Sequence, residues 1–240
     1  VHKLGGTEWL KATAKAQRQA KEIAGDLVKL YATRQASERP TYSDENPWLR
    51  EMEDAFPYVE TDDQLQAVED IIQDLQAPKP MDRLICGDVG FGKTEVAMRA
   101  AFKVATEGRQ VAVLCPTTIL AAQHFQTFTK RLGAFPICID MVSRFRSPKE
   151  QAKTIEAAKH GVADIVIGTH RLLSKDVSFK NLGLVIVDEE QRFGVIHKER
   201  LKQLKNQVDV ITLSATPIPR TLHMALTGIR DMSVINQAPE

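Results

Sequence analysis

Gly87-Asp88-Val89-Gly90-Phe91-Gly92-Lys93-Thr94 fits the pattern G-x-x-x-x-G-K-[ST], a glycine-rich turn that wraps phosphate groups. Just before it runs Met81-Asp82-Arg83-Leu84-Ile85-Cys86, with a short apolar core, and residues 95–106 after it carry apolar side chains at helical spacing. The turn therefore joins a strand to a helix, the context the pattern requires. Glycines let the backbone N–H groups of residues 87–92 turn inward on an anion, and the helix N-terminus adds roughly half a positive charge facing the same point. Lys93 is then placed to reach the terminal phosphates, and the Thr94 hydroxyl to ligate magnesium.

A second element of the same chemistry follows Lys93 by 95 residues, where the apolar run Leu184-Val185-Ile186-Val187 ends in Asp188-Glu189-Glu190-Gln191. Ligands of parallel sheets bind at the carboxyl ends of strands, and an acid pair emerging there suits a metal-bound triphosphate. Asp188 is assigned to the metal and Glu189 to the attacking water, as in other phosphate-loop enzymes. A further apolar run, Val210-Ile211-Thr212-Leu213, leads into Ser214-Ala215-Thr216-Pro217. The hydroxyls of Ser214 and Thr216 either report the phosphate state to a neighbouring element or sit in a turn enforced by Pro217 and Pro219.

Working outward, strand-like runs recur over residues 83–86, 111–115, 137–142, 165–167, 184–187 and 210–213, with Val234-Ile235 as a possible edge strand. Helical patterns lie between them, over 65–75, 95–106, 119–132, 149–160 and 198–204. This alternation predicts an α/β fold with a mostly parallel central sheet covered on both faces, and continuous apolar runs are what doubly buried strands require. At 240 residues, 43% of them apolar, the chain can bury one such domain and an appendage. Its net charge of +1 says nothing for or against nucleic acid. Cys86, Cys115 and Cys138 sit in or beside apolar runs without metal-site spacing and are read as reduced core thiols. No run approaches 18 apolar residues and no secretion signal leads the chain, which points to a cytosolic setting and no membrane partner.

Before the sheet, Trp9, Ala12, Ala16, Ala20, Ile23, Leu27 and Leu30 recur at three- or four-residue intervals, so residues 8–35 are predicted as one long amphipathic helix capped by Thr7. Its Lys11, Lys15, Arg18, Lys21 and Lys29 form a solvated face or a partner-facing one. The polar stretch 37–47, with Pro40 and Pro47, reads as a linker, which divides the chain into a helical connector over 1–49 and the sheet domain over 50–240. A start at Val1 and an end at Glu240 without a stop signal suggest a piece of a longer protein.

The motif order resembles the first motor lobe of superfamily-two DNA helicases and translocases. Residues 87–94 are similar to motif I, Pro116-Thr117-Thr118-Ile119-Leu120-Ala121-Ala122-Gln123-His124 to motif Ia, Ile167-Gly168-Thr169-His170-Arg171-Leu172-Leu173 to motif Ib, 188–191 to motif II and 214–216 to motif III. More narrowly, residues 81–101, Ser143-Arg144-Phe145-Arg146-Ser147, 188–200 and 215–222 resemble the bacterial transcription-repair coupling factor family. The likeness spans nearly the whole chain. It implies a three-layer RecA-like lobe, ATP and Mg2+ as cofactors, and double-stranded DNA held by its backbone. A second RecA-like lobe in cis is implied as well, with RNA polymerase and excision-repair proteins engaged through domains outside this chain.

The resemblance also implies residue roles. Phe56, Thr61 and Gln64 match an adenine-recognition element, against the local alternative of a helix cap at Thr61 with Gln64 exposed. Thr117, Thr118, Arg144, Thr169 and His170 match positions that touch the DNA backbone, and their hydroxyls and cations suit phosphate rather than base contacts. His124 reads as an ordinary polar residue near a helix start. Gln191 stands where many relatives carry histidine. It is expected to bridge motif II to motif III through its amide, without a histidine-like pH dependence. Two other readings stay open: a RecG-type branch-migration motor, and a non-catalytic module in which nucleotide only stabilises an interaction surface.

Overall fold

The doubly buried runs form the centre of the molecule. The computed structural model describes residues 39–43, 46–193, 201, 208–215 and 231–239, without the Gln191 side chain. Seven strands, β1 (Asp82–Gly87), β2 (Gln110–Leu114), β3 (Ile139–Val142), β4 (Ile165–Gly168), β5 (Leu182–Asp188), β6 (Asp209–Ser214) and β7 (Asp231–Ile235), pair in the order β3-β4-β2-β5-β6-β1-β7. Every pairing is parallel, so all carboxyl ends share one edge. Helices α1 (Pro47–Asp54), α2 (Asp62–Gln76), α3 (Lys93–Thr106), α4 (Thr118–Leu132) and α5 (Pro148–His160) complete the described elements, with 3-10 turns at His170–Leu173 and Glu190–Arg192. The chain is thus a RecA-like α/β lobe.

Alternation along each strand explains the layering. Val111, Val113, Ile165, Ile167, Ile186 and Ile211 point to one face and pack with α2, α3 and α4. Their neighbours Ala112, Leu114, Val166, Val185, Val187 and Val210 point to the other and pack with Ala158 of α5 and with Leu201. Each buried aliphatic side chain of this size contributes about 1.5–3 kcal/mol through burial, which places the sheet at the energetic centre of the fold. Local signals fix the helix ends: Ser147 and Glu150 form a reciprocal capping box at the start of α5, and Gly161 ends it in the left-handed region at φ 74°.

The strands and helices expected from the sequence are present with shifted ends, and β7 occupies the edge beside β1. Helix α1 was not legible, because at eight residues it is too short to show a repeating apolar period; Asn46 caps it through the Leu49 amide and Pro47 begins it. One thiol departs from expectation. Cys86 and Cys115 are buried, but Cys138 is exposed, because it precedes β3 rather than lying in it. The expected helix over 8–35, and that over 198–204 apart from Leu201, lie outside the described residues.

Within the polar stretch expected as a linker, Arg39 and Tyr42 are buried against the amino edge of the sheet. Arg39 Nε donates to Asp209 Oδ1 at 2.9 Å, and the same oxygen accepts the Met81 amide at 2.7 Å. The other Arg39 N–H groups go to the carbonyls of Pro40, Leu75 and Asp74. Lys103 of α3, itself buried, donates to the Ser43 carbonyl and to Glu107. Both members of the Arg39–Asp209 pair are nearly inaccessible, at 5% and 0% side-chain exposure. Removing one partner leaves an uncompensated buried charge, so Asp209→Ala is expected to cost about 3–5 kcal/mol, a large share of the ~5–15 kcal/mol that holds a domain together. Urea unfolding of the chain measures this, and a midpoint unchanged from wild type would contradict it.

Candidate functional site

The glycine-rich turn leaves the carboxyl end of β1 and feeds α3, whose N-cap is Gly92. Gly90 and Gly92 lie at φ +89° and +79°, a region that L side chains enter only at a cost. At Gly92 a Cβ would also run into the Gln64 side-chain amide. That contact joins two readings of the sequence. Thr61 and Gln64 do form a capping box at the start of α2, with Gln64 Oε1 accepting the Thr61 amide at 3.1 Å. Gln64 is nevertheless buried, and its Nε2 donates to the Phe91 carbonyl of the turn at 3.1 Å. The same side chain therefore caps α2 and braces the turn.

Lys93 Nζ donates to the Gly87 and Asp88 carbonyls at 2.7 Å each, which folds the ammonium back over the turn. Burial lowers the Lys93 pKa from its ordinary value, while the charges of Glu189, Asp188 and Asp88 act the other way. The cation and the acid pair thus share one electrostatic environment, although 95 residues separate Lys93 from Asp188. The sheet order explains this: β6 lies between β1 and β5, so three adjacent strand ends bring the turn, Ser214 and the acids together. Ser214 is in register with Cys86, and Asp188 with Leu213.

Glu189 lies at φ 51°, the one non-glycine residue with positive φ among the described residues. Such a conformation costs about 1–3 kcal/mol and persists only when its surroundings fix it. Here the Glu189 amide donates to the Leu213 carbonyl at 3.0 Å, and Glu189 Oε1 accepts the Ala215 amide at 2.6 Å. A bridge from the acid pair to the end of β6 is therefore made by Glu189. The Gln191 side chain, to which the sequence assigned that bridge, and Thr216 fall outside the described residues.

His124 was passed over in the sequence and is part of the site. Its Nε2 lies 2.8 Å from Asp188 Oδ2, and both side chains are largely buried. A signal existed: His124 continues the buried stripe Ala121, Phe128 and Leu132 of α4, and a polar residue in such a stripe needs a partner. Cys115, at the end of β2, is also near, since burial and then the Asp188 charge raise its thiol pKa.

Phe56 sits between α1 and α2 in a charged setting. The guanidinium carbons of Arg99 and Arg131 each lie 5.4 Å from its ring centroid, and Tyr58 meets its edge at 5.5 Å. Arg99 is buried against Glu60 at 2.6 Å and Glu95 at 3.2 Å, and Arg131 reaches Glu95 at 3.1 Å.

Thr117, Thr118, Arg144, Thr169 and His170 all follow the carboxyl ends of β2, β3 and β4, which are contiguous in the sheet. The Thr117 hydroxyl caps α4 at the Leu120 amide, Arg144 and His170 are exposed, and Thr169 is buried. The carboxyl edge is thus divided, with the glycine-rich turn, the acid pair and Ser214 at β1, β5 and β6 and these five residues at β3, β4 and β2. The seam runs between β2 and β5.

No group of three or more His, Cys, Asp or Glu among the described residues is arranged to hold a metal ion by itself. Asp188 and Thr94 offer one carboxylate and one hydroxyl beside a phosphate cradle. That donor set fits magnesium, which keeps its waters and takes few protein oxygens together with phosphates.

The family model for DEAD/DEAH box helicases matches residues 61–225. Over all 240 residues the chain is 58% identical to the transcription-repair-coupling factor of Bacillus subtilis (strain 168), covering 20% of it. It is 57% identical to that of Mycobacterium tuberculosis (strain CDC 1551 / Oshkosh), covering 19%. The chain therefore spans about one fifth of the length of the curated relatives it matches. Among solved structures, RecG bound to a three-way DNA junction superposes with a TM-score of 0.73 at 34% identity, over 88% of this chain and 30% of that one. The DEAD-box helicase Mss116 bound to ssRNA and UDP-BeF gives 0.62 at 13% identity, over 84% of this chain and 46% of that one, a likeness of fold alone.

Proposed function

Because the chain belongs to the DEAD/DEAH box helicase family, we propose that it is the ATP-binding first motor lobe of a double-stranded DNA translocase that displaces stalled RNA polymerase and couples transcription to nucleotide excision repair. The observation that supports this reading is that the turn bearing Lys93 follows β1 and the acids Asp188 and Glu189 follow β5 on the same sheet edge, with only β6 between them. The particular task rests on the likeness to transcription-repair-coupling factors along the whole chain. The setting proposed is the bacterial cytoplasm; no described helix is long and apolar enough to cross a membrane. The division into a connector over 1–49 and a lobe over 50–240 belongs to the same proposal.

In this reading the amides of residues 87–92 and the start of α3 hold the β- and γ-phosphates of ATP, and Lys93 moves one or more N–H groups from the loop carbonyls to the phosphate oxygens. Thr94 and Asp188 hold Mg2+, which when bound neutralises charge on the phosphates. Glu189 orients the attacking water, and its bond to the Ala215 amide ties that carboxylate to the element expected to sense phosphate loss, which includes Ser214 and Thr216. Gln191 adds to that coupling. Phe56, Thr61 and Gln64 select adenine, and Gln64 links the base to the turn through Phe91. Thr117, Thr118, Arg144, Thr169 and His170 hold the DNA backbone without reading sequence. The second lobe, RNA polymerase and repair proteins are engaged by parts outside this chain.

The RecG likeness favours a second reading, a branch-migration motor. Two substrates separate them. The full-length protein that contains this chain is expected to release a stalled elongation complex with ATP and to leave a three-way junction unprocessed. The reverse pattern would replace the first reading with the second.

A further inference from the structure

The hydrogen bond between His124 and Asp188 crosses the seam that divides the carboxyl edge, joining α4 of the DNA-side half to the end of β5 in the nucleotide half. Since a carboxylate oxygen can only accept, the His124 Nε2–H donates to Asp188 Oδ2. We infer that His124 is a positioning residue for the metal-binding carboxylate: it engages Oδ2 and leaves Oδ1 as the oxygen that serves Mg2+. The inference rests on the nucleotide reading above and gives His124, the last residue of the motif Ia-like stretch, a role toward the metal-binding carboxylate.

Three observations carry it. A terminal carboxylate rotates through a broad, roughly two-fold well, so an Asp at the end of a strand exchanges its two oxygens unless one is held. His124 is well placed to hold it, because its ring is buried in the stripe formed with Ala121, Phe128 and Leu132 and meets the Phe128 ring edge-on with centroids 6.3 Å apart. The helix beneath it is fixed at its start by the Thr117 cap. Direct ligation by His124 is disfavoured on chemical grounds, since magnesium prefers hard oxygen donors and the imidazole N–H is committed to the carboxylate.

The test follows the affinity of the 240-residue chain for a fluorescent ATP analogue as Mg2+ is titrated, comparing wild type with H124L and H124Q. Loss of a hydrogen bond that orients a metal ligand typically weakens metal binding by about 10- to 100-fold, so H124L is expected to raise the half-maximal Mg2+ concentration by at least about tenfold. H124Q carries an amide N–H of similar reach and is expected to stay within about threefold of wild type. Affinity measured with EDTA should be the same for all three. A Mg2+ midpoint for H124L within about threefold of wild type overturns the inference, and so does an H124Q as impaired as H124L, which would make the residue a packing element. Should H124L fail to fold, H124N, polar but too short to reach Oδ2, takes its place with the same expected shift. If wild type itself shows no Mg2+-dependent nucleotide binding, the nucleotide reading fails and takes this inference with it.

Discussion

Residues 1–240 on their own are expected to turn over ATP about 10³ to 10⁵ times more slowly than the same chain joined to a second lobe that carries an arginine finger. The transition state of phosphoryl transfer spreads charge over the equatorial oxygens, and a guanidinium delivered to that charge lowers the barrier by roughly 4 to 7 kcal/mol. Several of the described arginines of this lobe are engaged elsewhere. Arg83 is paired with Asp70 and Asp74, and Arg99 and Arg131 are held by Glu60 and Glu95 in the cluster around Phe56. Arg144 and Arg171 follow β3 and β4 in the other half of the edge, and Arg171 is bonded to Asp176. Lys93 and the Thr94 hydroxyl can bind the ground state, so nucleotide affinity and turnover should separate: the isolated chain binds Mg-ATP and barely hydrolyses it. Steady-state phosphate release at saturating duplex DNA measures the difference. Robust DNA-stimulated turnover by the chain alone would mean that the catalytic set is complete without a second lobe.

Lys93→Ala, introduced into the full-length protein, is expected to lower kcat by about 10² to 10³, the usual cost of removing one preorganised donor from a charge-stabilising site, or roughly 2.7–4 kcal/mol. The fold should survive, because among the described residues the Lys93 side chain bonds only to carbonyls of its own turn, and α3 is anchored by the buried run from Val96 to Ala105. Lys93→Arg should also be impaired, since a planar fork cannot replace a compact ammonium within a turn this tight. The partner readout decides between classes. Retained polymerase binding with loss of displacement identifies a motor, whereas displacement unaffected by Lys93→Ala would identify an interaction module in which nucleotide hydrolysis has no part.

Much of this site was legible because its chemistry is local. Residues 87–94 need no partner to be recognised: glycine at 90 and 92 supplies the positive φ that the turn requires, and the short apolar run before it and the 3.6-residue period after it identify strand and helix. Asp188 and Glu189 were legible for a similar reason, as acids at the end of a run buried on both faces. Gln64 was half legible. Its capping box with Thr61 follows from spacing alone, but the burial that turns it toward Phe91 comes from the approach of α2 to a turn 27 residues away. The environments of His124, of Arg39 within the expected linker, and of Cys138 were not legible because they are set across the fold. The first faces a carboxylate 64 residues away and the second an aspartate 170 residues away. The third escapes the core because β3 begins one residue later, at Ile139.

The sequence by itself determined that this chain builds a parallel sheet with a glycine-rich turn and an acid pair at strand ends, since periodicity, glycine conformation and motif spacing are properties of neighbouring residues. Tertiary structure alone decided which strand ends stand side by side. The order β3-β4-β2-β5-β6-β1-β7 gathers Lys93, Ser214 and the acids on one side of a seam and the five DNA-side candidates on the other, and packs His124 across it. Strand order is chosen by how the apolar faces of the strands are shared with helices on both sides, a sum over many long-range contacts that no local pattern encodes.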